Sequence, residues 1–290
     1  MDNLTIKHTD IVSENFQNLT EIALKEKENY STAKPFPNIA LNNFFKDDFL
    51  NAVLSEFPDL SSLNESQKYD VKNEIKLSNK NYDKFPTTIK HFIDFLNSNL
   101  FLNFLQSLTS IKEKLVSDPH LEGGGLHEIK SGGVLKIHTD FNRHPFLDLD
   151  RRINVLIYLN KNWKDSYGGH LELWNKNMSR CEKKILPSFN TMAIFSTTDF
   201  SNHGHPDPLN CPKEMSRKSI ALYYFTSGRP KEEILNANIK NRTYFKSRID
   251  IKNDADEKKE YFKNFIRNLK VYRLMKNFEK KYIRRDKRNK

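Results

Sequence analysis

Cysteine is almost missing from this chain: its 290 residues include two, Cys181 and Cys211. That excludes a disulfide framework and a cysteine-rich zinc site, and it suits a reducing compartment. No apolar run approaches the roughly 20 residues that a spanning helix needs. The opening stretch, MDNLTIKHTDIVSENF, has neither the basic nor the apolar segment of a secretory signal. The expectation is therefore no membrane partner, no standard export and a cytoplasmic location. Glycine is scarce as well, and all nine lie between Gly123 and Gly228. Glycine takes positive φ freely and lets backbones approach closely, so tight turning is concentrated in that middle third, where the active part is expected.

The formal net charge is +11 and the pI about 9.4, a balance that invites a nucleic-acid reading. The excess is localised. From Asp254 to Lys290 there are about 14 Lys and Arg against 6 Asp and Glu, so most of it sits in the tail. The tail either binds a polyanion or is a solvated amphipathic helix. The second reading is preferred, because Phe262, Phe265, Ile266, Leu269, Met275 and Phe278 form an apolar stripe under the charges.

Along the chain, residues 1–34 read as a loosely held arm or short helix. NIALNNFF alternates as a strand after Pro35-Phe36-Pro37. Asp47 then serves as the N-cap of a helix through DDFLNAVLSEF, and a second helical region spans about Thr87 to Leu115. The polar stretch between them reads as loop or edge structure. From His120 the pattern changes to short strands bounded by turn residues: GLHEI, VLKIHTD, RINVLIYLN, HLELW, TMAIFST and KSIALYYF. Six such strands in about a hundred residues suggest a jelly-roll core. Within HLELW, His170, Glu172 and Trp174 read as one face of a half-exposed strand, and Gly168-Gly169 as a tight turn or bulge.

The chemistry is expected at His138-Thr139-Asp140, which ends the strand VLKIHTD. Residues i and i+2 of a strand share a face, so this imidazole and carboxylate can converge on one ion. A later histidine would complete a two-His, one-carboxylate triad with open positions, which suits non-heme Fe(II). His-x-Asp alone is weak, since it also occurs at His8-Thr9-Asp10 and His205-Pro206-Asp207. Only the copy at His138 has a strand behind it. His203 and His205 lie just past the strand TMAIFST, and Arg217 then opens a strand on which Arg217, Ser219, Ala221 and Tyr223 share one face. A guanidinium beside a small hydroxyl is a carboxylate clamp.

As an ordered set, PHLEGGGLHEI, GGVLKIHTDFNRHP, RINVLIYLNKNW, GGHLELW, HGHPDPL and RKSIALYYF resemble the Fe(II)- and 2-oxoglutarate-dependent oxygenases of the prolyl 4-hydroxylase-like branch. The resemblance covers about His120 to Gly228 and extends loosely back to PFPNIALNNFF. It implies an α+β chain with a double-stranded β-helix (jelly-roll) core, buttressing N-terminal helices and a C-terminal helical extension. The units would be an arm (1–34), an oxygenase domain (35–235, core about 120–228) and a basic extension (236–290). Carried over residue by residue, it implies His138 and Asp140 as metal ligands with His203 or His205 as the distal one. His203 is favoured because Pro206 restricts the backbone of His205. Arg217 with Ser219, and Tyr158 from the strand ending YLN, would hold the far carboxylate of 2-oxoglutarate.

The implied reaction takes Fe(II), 2-oxoglutarate and O2. It releases succinate and CO2 and hydroxylates an unactivated C–H bond of a prolyl or other amino-acid side chain, or of a small metabolite. With Asp140 present, no ligand position is vacated for halide. Substrate-side candidates at the pocket mouth are Asn142, Arg143 and His127, with Glu128 and Lys136 nearby. Rival readings are a non-catalytic cupin-like metal- or ligand-binding module, and a nucleic-acid-associated protein acting through the basic tail. The substrate, whether small molecule or polypeptide, and the oligomeric state are not legible from these residues.

Overall fold

Alternation of residue type along the strands decides which face meets a helix layer and which turns inward. The computed structural model of the chain describes residues 7–233 and 243–246. The first half holds α1 (His8–Ile11), α2 (Leu19–Thr32), β1 (Asn38–Asn42), α3 (Asp47–Ser55), β2 (Gln67–Val71), β3 (Glu74–Asn79), α4 (Thr87–Asn97) and α5 (Asn99–Thr109). The rest is strand: β4 (Val116–Ser117), β5 (Gly125–Lys130), β6 (Leu135–Thr139), β7 (Asp150–Tyr158), β8 (Leu171–Trp174), β9 (Cys181–Ile185), β10 (Thr191–Ser196), β11 (Asn202–His205), β12 (Ser216–Thr226) and β13 (Tyr244–Phe245).

The strands form one antiparallel sheet in the order β1-β10-β7-β12-β5-β3-β6-β11-β8-β9, curled into a nearly closed jelly-roll barrel. Its two ends meet where Lys183 of β9 donates to the Oδ1 of Asn38 on β1, at 2.7 Å. Ile153, Val155 and Ile157 of β7, Met192 and Ile194 of β10, and Ile220, Leu222 and Tyr224 of β12 face the helices and are buried with Phe92, Phe101 and Phe104. The intervening residues Tyr158, Ala193 and Phe195 point inward and meet Leu171 and Leu173 of β8. A single period of two thus builds both a helix-covered core and a barrel interior.

Several expectations are corrected. Of the two readings of residues 1–34, the helix holds for 19–32, and it is not loose: Leu19, Ala23 and Tyr30 are buried, and Tyr30 hydrogen-bonds Ser196 at 2.8 Å. Asp47 is the first residue of α3, capped by Lys46, and its carboxylate accepts from Asn190 at 2.7 Å. The helical region after Thr87 is two helices, because Ser98 is extended and caps α5 by accepting from the backbone N–H of Phe101. The polar stretch before it is the β2–β3 hairpin, and β3 bridges β5 and β6. In β8, Glu172 and Trp174 are both buried; Trp174 donates to Glu172 and Lys184 pairs with it. The basic segment read as an amphipathic helix lies outside the described residues, apart from 243–246, where β13 pairs with β6.

Candidate functional site

His203 follows the end of β10, as the sequence places it, but not in a loop. Asn202–His205 is a strand of its own, β11, and His203 is the register partner of His138 on β6. The barrel thereby brings His138, Asp140 and His203 together, with one donor atom from each within 4.8 Å of the others. Nε2 of His138 is 3.5 Å from Oδ1 of Asp140, and Nε2 of His203 is 3.3 Å from Oδ2. The rings are fixed from behind: Nδ1 of His138 donates to the carbonyl of Lys136 at 2.8 Å, and Nδ1 of His203 to that of Ser201 at 2.9 Å. A carbonyl only accepts, so each Nδ1 carries the proton and each Nε2 presents a lone pair. Burial, and after it the facing His203, holds His138 below the usual imidazole range. Two lone pairs and a carboxylate pointing at one spot are a donor set suited to a divalent cation.

Asp140 is locked in place. Arg151, 1% exposed, donates to its Oδ2 at 2.9 Å and Asn154 does so at 2.7 Å. Arg151 also donates to Oδ1 of Asn154 at 2.9 Å and stacks on Tyr223, 3.3 Å from the ring centroid. Burial alone would raise the Asp140 carboxyl; the charge of Arg151, with the two facing imidazoles pulling the same way, outweighs it and holds the group well below its ordinary value. Neither Arg151 nor Asn154 was picked out from the sequence. The available signal was that Asn154 shares the inward face of Tyr158 and interrupts the aliphatic run Ile153–Ile157.

The second part of the site lies on β12 and its neighbours. His127, Ser219 and Tyr158 stand in one row across β5, β12 and β7. Arg217 is buried, donates from Nε to the carbonyl of Gly169 at 2.7 Å and from Nη2 to the Tyr158 hydroxyl at 3.1 Å, and has no carboxylate partner among the described residues. The Tyr158 phenol is pushed up by burial, with Arg217 pulling the other way. Gly169 has φ +71°, and a Cβ there would lie 2.5 Å from Leu209 and 3.1 Å from Arg217. The Gly168-Gly169 turn therefore also seats the arginine.

His205 is 2% exposed and outside the three-residue cluster. Asn142 donates to Asp199, Arg143 pairs with Asp148, and Glu128 faces the opposite side of β5 from His127, accepting from Ser216. A cavity of about 640 Å³ between α2 and β1 is lined by none of these residues.

Residues 124–225 match the family model of the 2OG-Fe(II) oxygenase superfamily. The chain carries a 2OG-Fe(II) oxygenase domain. Enzymes of this kind use Fe(II) with 2-oxoglutarate and O2 as co-substrates. Among solved structures, the domain's fold is similar to that of a prolyl hydroxylase from Trichoplax adhaerens, at 18% identity and TM-score 0.54, covering 77% of this chain and 94% of that one. It is also similar to a prolyl 4-hydroxylase from Phytophthora capsici, at 18% identity and TM-score 0.51, covering 74% and 66%. A third likeness is to a Pseudomonas putida prolyl-4-hydroxylase, at 16% identity and TM-score 0.50, covering 73% and 100%. The oxygenase domain's own residues fit both groups: the cluster offers three electron-pair donors, and Arg217 is a buried cation with no carboxylate partner among the described residues.

Proposed function

We propose that this oxygenase is a hydroxylase in which His138, Asp140 and His203 ligate Fe(II), and Arg217, Tyr158 and Ser219 hold the far carboxylate of 2-oxoglutarate. The observation that carries the reading is the pairing of two features inside one barrel: a tautomer-locked His-Asp-His cluster and a buried arginine without a carboxylate partner among the described residues. When bound, the iron and co-substrate supply oxidative decarboxylation to succinate and CO2 coupled to C–H hydroxylation. The protein's share is geometric and electrostatic. Lys136 and Ser201 fix which histidine nitrogen faces the metal, Arg151 and Asn154 fix the carboxylate, and Gly169 fixes the guanidinium.

A polypeptide side chain is the favoured substrate. The fold neighbours are prolyl hydroxylases, and the Trichoplax adhaerens enzyme is in complex with a peptide fragment. The test is an anaerobic titration of metal-freed protein with Fe(II) and 2-oxoglutarate, following the visible charge-transfer band of the chelate, then succinate release in air. The band is expected in wild type, absent in His138→Ala and His203→Ala, and to need far more 2-oxoglutarate in Arg217→Ala. Metal binding without any band, and no succinate above background, would identify a binding module and refute the hydroxylase reading.

A further inference from the structure

His205 is a buried side chain whose ring nitrogens lack a well-formed hydrogen bond among the described residues. It follows His203 by two positions on β11, where all four residues are buried. The ladder to β8 runs from His203 opposite Leu173 to Gly204 opposite Glu172, so the strand advances from the metal cluster toward Gly169, whose carbonyl holds Arg217. His205 lies within the fields of both Arg217 and His138. It is 2% exposed, and neither ring nitrogen makes a well-formed hydrogen bond among the described residues, the backbone of Asp207 being an imperfectly aligned acceptor within reach. His138 and His203, by contrast, each spend Nδ1 on a carbonyl. An imidazole always carries at least one N–H, and native interiors rarely leave such groups unmatched.

The chemistry of the missing partner follows from the neighbours. A carboxylate has about four acceptor sites. Arg217 has already committed Nε to Gly169 and Nη2 to Tyr158, so it cannot fill them alone. We propose that His205 is a further co-substrate-binding residue, donating a ring N–H to a carboxylate oxygen of 2-oxoglutarate between the metal cluster and Arg217. This rests on the functional reading above and adds to it a residue whose role is separate from ligation of the metal.

The test uses the full chain, loaded anaerobically with Fe(II) and titrated with 2-oxoglutarate by calorimetry. His205→Leu keeps the bulk and removes both nitrogens. Its Kd for 2-oxoglutarate is expected to rise about tenfold or more, the scale of a hydrogen bond to a charged group. Fe(II) affinity in the absence of 2-oxoglutarate should stay at the wild-type level, and Tm should not fall, because two unmatched nitrogens leave the interior. His205→Gln, which keeps an N–H donor, should recover part of the affinity. Equal 2-oxoglutarate affinity in wild type and His205→Leu overturns the proposal, and loss of Fe(II) itself overturns it by making His205 a ligand.

An independent reading needs no folded variant. In the Zn(II)-loaded wild type, the ring ¹⁵N signals of His205 should shift on adding 2-oxoglutarate, and an unmoved ring at saturation overturns the assignment. Wild type that takes Fe(II) but no 2-oxoglutarate refutes the functional reading and this inference together. Wild type that binds 2-oxoglutarate as tightly as His205→Leu does refutes only the inference.

Discussion

Replacing Arg151 by methionine should be among the most damaging single changes near the cluster, and the reason is electrostatic before it is catalytic. Arg151 is 1% exposed and donates to Asp140 at 2.9 Å and to Asn154 at 2.9 Å. Its guanidinium lies 3.3 Å from the ring centroid of Tyr223 and 4.6 Å from that of Phe141. Methionine retains much of the stacking volume but leaves the Asp140 carboxylate buried without its counter-charge. Removing one member of such a pair costs about 3–5 kcal/mol. At roughly 2–4 °C per kcal/mol for a domain of this size, Tm should fall by about 6–20 °C in chelator-treated protein. Guanidinium unfolding followed by far-UV circular dichroism measures the same loss as a lower midpoint at unchanged slope. The double variant Asp140→Asn with Arg151→Met should regain most of the stability, because no charge is then left unpaired. An Arg151→Met protein within about 1 kcal/mol of wild type, or a double variant no better than the single one, would show that the pair does not hold this part of the barrel.

The two adjacent glycines should separate strain from function. Gly169→Ala must push on Leu209 and Arg217, so its 2-oxoglutarate Kd should rise about tenfold or more; Gly168→Ala, with φ +69° and nothing within 4 Å of its Cβ, should cost about 1–3 kcal/mol of stability through backbone strain alone and leave that Kd unchanged. Alkaline unfolding should be steep because of Tyr30 and Tyr224, whose hydroxyls bond Ser196 and the Leu96 carbonyl and which burial raises above the ordinary phenol value. Their contribution is complete below about pH 10, where the unfolded phenols are still protonated, and is lost as pH rises toward the raised folded values; Tyr30→Phe and Tyr224→Phe should each flatten the limb in pH-dependent denaturant midpoints, and an unchanged slope would refute this. Phe92→Ala, which removes a fully buried ring set edge-on to Phe45 at 4.8 Å, should cost about 3–5 kcal/mol in the same unfolding assay.

What was legible in the sequence follows the strength of its periodic signals. RINVLIYLN, TMAIFST and KSIALYYF are long and β-rich, and they became β7, β10 and β12. β9 and β11 escaped notice because CEKKI is charged and NHGH is short and lacks aliphatic residues. The pattern of a surface loop was there imposed on residues that tertiary pairing makes into strands. The same cause hid the β2–β3 hairpin, whose β2 is largely exposed. In the site, His138, Asp140 and Arg217 could be picked out because each sits at the end or start of a recognisable strand. Arg151 could not, because an arginine at a strand start reads as solvated until the fold encloses it. Choosing between His203 and His205 from sequence needed a register that only the pairing with β6 and β8 supplies.

The ligand strand β6 also has a consequence for how the enzyme is made. It is five residues long and borrows its neighbours from distant parts of the chain: His203 on one side, and on the other Glu74 near its start and Phe245 at the register of His138. A ribosome releases these partners over more than half the length of the protein. The nascent chain therefore has no complete iron pocket until β11 has emerged, and no outer wall beside His138 until residues 244–245 follow. On the ligand set proposed above, metal loading comes late in synthesis, and chains stopped short of β13 should leave the ribosome with β6 open on its outer edge beside His138, the kind of exposed edge on which other strands can pair.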